Sequence, residues 1–560
     1  MEINNTNIYL CIHKCILQDE LNEIKERLKC FAEKIEVIEC FKIRINRKDI
    51  YEMKKDKDCN FVIVHYGLEY DYSYFSPYDI FIESIEDIDK VLLENIIKIY
   101  QIQNKRVLLY SGKMPENSND IDGGSQMVSQ LIKCLSERCK LDVTFIRKEN
   151  EKILDYKIRK IRYLNSINPM SNKFQRRFDN IVNNQKAILN GETYDLIIAL
   201  HCSKLFGLEN NQEIMKKTIV FPMMLTAGYR LAGESVPARY TELENDVLRN
   251  ASYIITPSKE EFDCIQTEYE DIDLDKIEII PRGISPIIKG KIHKCNRDSV
   301  NIVSVGSIKL QKNHMSEVRI VQKLKDKGFN IHLTIIGAIH DKDIYDELEE
   351  YICENDLKNN VTFKKGLNQY EMSQIFERMD IALSCSCWET FGRGIFEGIT
   401  AGLPTVVSDS LTVVKRIVSN NDGVFFEKNE EAMIKRIIRL IDDGEMYKNA
   451  SSCALKIAEK VSYYIERDRL LKSILYKYFG VNSKFDSWNS KECEKIYSSK
   501  NVCVYKKGCL IRKYYAGELE EKARRDFKKI KDMGGNEKNL FFSYDYENSN
   551  WFFQYEVSNE

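Results

Sequence analysis

Two glutamates, Glu389 and Glu397, stand with seven residues between them in the stretch SCSCWETFGRGIFEGITAGLPTVVSD, residues 384–409. An ionised carboxylate only accepts hydrogen bonds, so a pair of them suits the holding of hydroxyl groups. Between them lie Thr390, Phe391, Gly392, Arg393 and Gly394, a glycine-punctuated turn leading into an apolar helical pattern. The start of a helix offers unsatisfied N–H groups and a positive dipole end, which favour an anion. Eight positions along one regular helix would put the two carboxylates well off a common face. The spacing therefore predicts Glu389 on a loop and Glu397 within the helix, with Gly402 and Pro404 ending it. A glutamate pair by itself is more often solvated surface. The chemistry gains weight only if other segments bring anion-binding partners to the same place.

The elements that could do so alternate strand and helix. From residue 300, VNIVSVGS reads as a strand ending at Gly306, and IKLQKNHMSEV follows with Lys309 and Lys312. Two further strands end at Gly337 and Gly366 before the glutamate stretch begins. Glycines at strand ends let a ligand approach the carboxyl edge of a sheet. An earlier run starts at Arg106 with the strand RVLLYSG, a polar loop holding Gly123 and Gly124, and a helix over 127–139. A Gly-Gly turn before a helix is phosphate-loop geometry, although such turns also arise for steric reasons. The segment TYDLIIALHCSK predicts a buried strand over 196–200 that ends in His201, where open α/β sheets bind ligands. A lone histidine is more often satisfied in a core. Strands alternating with helices at this spacing predict parallel, right-handed, doubly wound sheets.

Taken in order, these segments resemble the retaining GT-B glycosyltransferases of family 4 (group 1). The match runs over about residues 105–480 and includes Glu389, Phe391-Gly392, Glu397, Gly402 and Pro404, the TPSKEE strand–helix step, IPRG at 280–283 and QKNH at 311–314. The resemblance implies an α/β GT-B fold, two Rossmann-like domains over 105–290 and 298–480 facing a cleft. It implies a retaining transfer from a nucleotide-sugar donor, a UDP-sugar by family frequency, to the hydroxyl of an unknown acceptor: a glycan, lipid-linked sugar, peptide or small molecule. Lys312 is implied as the phosphate lysine and Glu389 as the contact to the donor sugar. Glu397 is implied on the ribose, and His201 near the donor sugar or reacting centre. Gly123 and Gly124 mark the cleft loop, with Asp122 near the acceptor. The helix start at 392–394 and Lys312 imply no metal and no cofactor. The family often carries Val-Gly-Arg before its lysine, and here the sequence is Val305-Gly306-Ser307. Lys309 or Arg393 could supply the missing charge, but a lysine lacks the guanidinium fork. The same fold could serve a sugar epimerase or phosphorylase, or a non-catalytic, partner-dependent binding subunit.

Bulk properties set the limits. The chain has 560 residues, 43% apolar, enough for two to four domains. Lys+Arg 84 against Asp+Glu 86 gives a net charge of -2, which indicates no nucleic-acid partner. The longest apolar run, near 219–227, is too short to span a bilayer, which leaves only peripheral membrane contact open. The N-terminus lacks the features of a signal peptide, and an odd count of 17 Cys reads as reduced cytosolic thiols. Cys11, His13 and Cys15 suit strand alternation better than a metal site. Residues 1–104 predict a separate α/β module with a helix over 88–102 and an aromatic, acidic segment at 67–81. Residues 485–560 predict two hairpins around a charged helix. They loosely resemble the small lobe of kinase-like folds, with Lys513 on a strand.

Overall fold

The computed structural model describes residues 7–13, 16–29, 34–40, 44–45, 61–66, 69–70 and 79–82, with 85, 88 and 102, in the first part of the chain. It then describes 104–114, 123–146 except 137, and 158–458 except 232, 286, 366 and 419–422. Beyond these it describes 461, 466, 470, 474, 478–479, 494–498, 502–507, 510–516, 520–532, 541–545 and 550–556. Asp122, Gly366, Cys15, most of the 88–102 segment and most of the 67–81 segment lie outside the described residues.

The chain divides into two compact units. One comprises 106–133 and 141–466, and it carries both glutamates and every other candidate site residue. Its first lobe is a seven-stranded sheet: β1 (Arg106–Ser111), β2 (Lys140–Phe145), β3 (Lys160–Tyr163), β4 (Leu196–Leu200), β5 (Thr218–Phe221), β6 (Tyr253–Thr256) and β7 (Ile277–Ile279). The order across the sheet is β7-β6-β5-β4-β1-β2-β3. β4 runs parallel to β1 and to β5, β6 runs parallel to β5 and β7, and β3 runs parallel to β2. β4, Leu-Ile-Ile-Ala-Leu, is buried along its whole length, as expected for a strand covered by helices on both faces.

The second lobe is a six-stranded parallel sheet: β8 (Val300–Val305), β9 (Ile331–Ile336), β10 (Val361–Lys364), β11 (Ile381–Ser384), β12 (Thr405–Ser408) and β13 (Val424–Glu427). Its order, β10-β9-β8-β11-β12-β13, reverses direction between β8 and β11. In open α/β sheets the crevice beyond the strand ends at such a reversal is the ligand site. The first sheet reverses in the same way between β1 and β4.

Helices α1 (Gly123–Leu135), α2 (Lys173–Asp179), α3 (Ile181–Ile188) and α4 (Lys259–Glu268) belong to the first lobe. The second lobe has α5 (His314–Asp326), α6 (Gln369–Phe376), α7 (Arg393–Thr400), α8 (Thr412–Val418), α9 (Glu430–Asp442) and α10 (Gly444–Leu455). α9 shows why such helices form. Asn429 caps its N-terminus by accepting from Ala432 N, and Met433, Ile434, Ile437, Leu440 and Ile441 put one apolar stripe into the core. The sequence places the start of α1 four residues too late. Gly123 and Gly124 are its first turn rather than the loop before it, because a glycine pair is tolerated where the helix N–H groups have no partner to lose.

The other unit comprises 1–105, 134–140 and 467–560. Its N-terminal part holds a parallel sheet of Lys34–Cys40, Asn7–His13, Phe61–Tyr66 and Asp79–Ile82, in that order, with helix Gln18–Lys29. Its C-terminal part holds an antiparallel sheet ordered Glu494–Ser498, Val502–Lys507, Leu510–Ala516, Asn550–Glu556, Phe541–Asp545, with helix Glu520–Asp532. The first of these five strands has no counterpart in the two-hairpin expectation. Lys513 pairs with Asp526 of the helix at 3.2 Å, and Tyr515 donates to the same carboxylate at 2.6 Å. Among the described residues no helix is long and apolar enough to cross a membrane, and no cluster of metal-ligating side chains occurs.

The end of α7 tests the local reading. Gly402 N donates to Ile399 O and Leu403 N to Gly398 O, the paired bonds of a Schellman cap, with Gly402 at φ 91°. A Cβ at this position would lie 2.1 Å from the carbonyl oxygen of Lys291. Gly402→Ala is expected to lower stability by about 2–4 kcal/mol, from left-handed strain plus a backbone clash, read as a lower urea midpoint at unchanged slope.

Candidate active site in the cleft

Gly392 opens α7 at φ 85°, a conformation that glycine adopts without strain. Gly394 sits so close to β8 that a Cβ would lie 2.5 Å from Val305 O. These two glycines bring the N-terminus of α7 against the carboxyl end of β8, where its unpaired N–H groups face the sheet reversal. Glu389 lies on the loop before the helix and Glu397 one turn inside it, and both are buried. Thr390 and Phe391 fill the turn between, and Phe391 stacks on Phe396 with ring centroids 4.8 Å apart.

Lys312 comes from the loop after β8. Its side chain crosses Gly306, where a Cβ would lie 3.0 Å from Lys312 Cδ, and its ammonium pairs with Glu389. Gln311 of the same loop donates to Trp388 O. Glu317, fully buried on α5, accepts from Cys385 N at 3.1 Å and contacts His314, whose other ring nitrogen meets Gly306 O at 3.2 Å. One helix thus ties together the loop after β8 and the stretch after β11. Lys309 is held down to about 8 by burial first and by the charge of Lys312 next. Ser307 lines the same wall, so Lys309 and Lys312 carry the positive charge of this loop.

Contacts from the first lobe complete the cleft. Arg393 of α7 donates to Gln126 and, at 3.1 Å, to Gln130, both on α1. Glu397 Oε1 accepts from Gln126 Nε2 and from Gln369 Nε2, each at 3.4 Å. Gln369 is placed by the capping box of α6, in which Asn368 and Glu371 bond reciprocally. The Trp388 ring packs on Gly228, where a Cβ would lie 2.5 Å from it. Arg416 reaches Glu260 at 3.2 Å and Asp263 at 3.3 Å on α4. The chain passes between lobes at Arg282-Gly283, where Glu466 accepts from Gly283 N at 2.6 Å and pairs with buried Arg282 at 3.7 Å.

The resulting cavity measures about 1140 Å³. Gly123, Gly124, His201, Gly306, Lys309, Lys312, Glu389, Thr390, Phe391, Gly392, Arg393, Gly394 and Glu397 all line it. His201 closes β4 at φ 93°, a conformation disfavoured for a residue with a Cβ. Its Nδ1 accepts from Ser203 N at 3.1 Å, which leaves the proton on Nε2. That Nε2 is buried and has no hydrogen-bond partner among the described residues. Burial, then the charges of Arg177 and Lys204, hold the ring neutral well below the usual histidine range. His201 thus presents a donor N–H rather than a base.

Sequence reasoning missed Gln126, Gln369, Trp388 and the cations of the first lobe. Gln126 and Lys204 each lie three residues or fewer from a residue that was singled out. Arg176 and Arg177 lie on a separate helix, and no local pattern links them to His201. Lys204 is held down to about 7 by burial first, then by Arg177 and Arg176. An unfolded lysine titrates near ~10.4, so above pH 7 the unfolded chain binds more protons here than the fold does. The destabilisation from this charge is full below pH 7 and relieved between 7 and about 10. Lys204→Gln is therefore expected to raise the thermal midpoint at pH 6 and to raise it less at pH 9. An equal shift at both would contradict the depressed lysine.

Comparison with known proteins agrees with this fold. Residues 289–456 match the family model for glycosyl transferases group 1. The chain is 25% identical over 273 residues to Protein CapJ of Staphylococcus aureus, covering 44% of this chain and 63% of that protein. It is 25% identical over 239 residues to the alpha-monoglucosyldiacylglycerol synthase of Acholeplasma laidlawii, covering 39% and 58%. It is 22% identical over 183 residues to a GDP-Man:Man(3)GlcNAc(2)-PP-Dol alpha-1,2-mannosyltransferase of Dictyostelium discoideum, covering 31% and 36%. The chain thus spans between about one third and two thirds of the length of these relatives. Among solved structures, sucrose-phosphate synthase from Thermosynechococcus elongatus superposes with a TM-score of 0.57 at 15% identity, over 68% of this chain and 100% of that one. HepE from Anabaena, solved with UDP and glucose, superposes with a TM-score of 0.52 at 16% identity, over 66% and 99%. Residues 289–456 are thus similar to the group 1 glycosyltransferases, and the two facing sheets form a GT-B fold.

Proposed function

We propose that the chain transfers a sugar, with retention, from a nucleotide-sugar donor to an acceptor hydroxyl in glycoconjugate or polysaccharide synthesis, and that the donor is a UDP-sugar. The observation that carries this reading is the Lys312–Glu389 ion pair beside the N-terminus of α7, one turn before buried Glu397. In such a transfer, charge grows on the departing diphosphate while the anomeric carbon becomes cationic. Fixed donors aimed at that growing charge lower the barrier. Lys312, Lys309, Arg393 and the first-turn N–H groups of α7 are those donors. Glu389 and Glu397 accept from sugar and ribose hydroxyls respectively, and His201 Nε2–H donates toward the reacting centre. The acceptor attacks from the side the diphosphate leaves, and the phosphate takes its proton. Charge neutralisation by these groups leaves no step that needs a metal. Support for UDP comes from HepE, solved with UDP-glucose. The curated relatives divide, one named for GDP-mannose and one for UDP-galactose.

Lys312→Ala is expected to lower kcat by roughly 10²–10³-fold, the usual effect of removing one transition-state donor, with a smaller change in donor affinity. Glu397→Ala is expected to weaken nucleotide-sugar binding about tenfold or more, from a lost charge-assisted hydrogen bond. Wild-type turnover in both variants would reject the site. A thermal-shift comparison of UDP-, GDP-, ADP- and dTDP-sugars should give the largest rise with a UDP-sugar, since a ligand of the native state stabilises it. NMR of the product should show the anomeric configuration of the donor. Ser307 favours the second reading, a binding subunit without turnover; donor binding with no transfer to any acceptor would select it.

A further inference from the structure

We propose that the first lobe's half of the cleft binds a phosphate group on the acceptor, held by Arg176, Arg177 and Lys204. This rests on the transferase reading above and names the acceptor class for it. Among the described residues, nine Lys or Arg side chains and four carboxylates line the cavity, in a chain whose net charge is -2. The imbalance is therefore local. Lys309, Lys312 and Arg393 belong to the second lobe, where the donor diphosphate would lie. The remaining excess sits in the first lobe, at the reversal between β1 and β4, a ligand position in its own right.

Lys204 follows His201 at the end of β4 and lies against the end of β1. A Cβ at Gly112 would come within 2.7 Å of Lys204 Nζ, so the glycine leaves room for the ammonium. Tyr110 presents its ring 5.5 Å from the same Nζ. Arg177 is fixed by donating to Tyr240 Oη at 2.7 Å and Tyr229 Oη at 3.0 Å. Arg176 donates to Pro169 O at 2.9 Å. None of the three has a carboxylate within ion-pair distance among the described residues. Lys173, by contrast, pairs with Glu234 in the same wall. Recessed cations without a counter-charge destabilise a fold unless an anion joins them. Two guanidiniums, with a lysine that an adjacent anion would hold protonated, match a phosphate ester, which carries about two negative charges and three acceptor oxygens, better than a single carboxylate.

The test uses the full chain saturated with UDP, or with whichever nucleoside diphosphate raises its thermal midpoint most, so that the donor's phosphate positions are filled. It is titrated with glycerol 3-phosphate and with glycerol. Binding of glycerol 3-phosphate but not of glycerol is expected. Lys204→Gln and Arg176→Gln should each weaken it about tenfold or more and leave nucleotide affinity within about twofold. Gly112→Ala, which pushes the lysine aside without removing it, should weaken it too. No glycerol 3-phosphate binding by the nucleotide-filled protein, or equal binding by the variants, would overturn the proposal alone. Failure of every nucleoside diphosphate to bind would overturn the transferase reading with it. Vesicles of phosphatidylcholine and phosphatidic acid in equal parts, against phosphatidylcholine alone, separate the sources. Capture by the acidic vesicles that Lys204→Gln abolishes marks a lipid-borne phosphate. Glycerol 3-phosphate binding without such capture marks a soluble ester.

Discussion

The site depends on the close approach of α7 to β8. Gly394 lies on Val305 with no room for a side chain, and Gly392 supplies the left-handed turn that starts the helix there. Without that contact, the helix N-terminus would not face the loop that carries Lys312. The Schellman cap at Gly402 fixes the other end of the helix, so a short helix is held at both ends by glycines. Glu317 adds a second brace from α5, bonding the stretch after β11 while touching the histidine that holds Gly306. The placement of this helix N-terminus beside Lys312 thus follows from backbone contacts more than from the charged side chains.

Electrostatics divide the cleft between the lobes. In the second lobe, Lys312 and Glu389 neutralise one another, so any anion entering there must compete with the glutamate for the ammonium. In the first lobe, no such pairing among the described residues relieves Lys204, Arg176 and Arg177. Grouping these cations is costly unless a counter-charge joins them. The neutral His201 between the two regions keeps its donor N–H because burial first, and the neighbouring cations next, keep it from taking a second proton.

Much of the fold was legible from local pattern. The strand–helix alternation, strand ends at Gly306 and His201, and the loop and helix placement of Glu389 and Glu397 follow from short-range spacing. Apart from Asp122, which lies outside the described residues, the residues expected at the donor site and reacting centre all line one cavity. Errors fell at boundaries, as with the start of α1, where Gly-Gly reads as loop although a helix N-terminus tolerates it. The first strand of the C-terminal sheet was missed because a short, charged edge strand has little alternation to detect.

The sequence by itself determined the elements and the chemical types available, since periodicity, glycine position and capping residues act over a few neighbours. It also carried the ordered resemblance to the group 1 transferases. Only the tertiary structure decided which groups meet. Lys312 reaches Glu389 across 77 positions of chain, and Arg393 reaches Gln126 across 267. Arg176, Arg177 and Lys204 converge because one sheet reverses between β1 and β4, bringing α2 and the end of β4 to the same crevice. Such convergence depends on long-range closure of the chain, which no local pattern encodes.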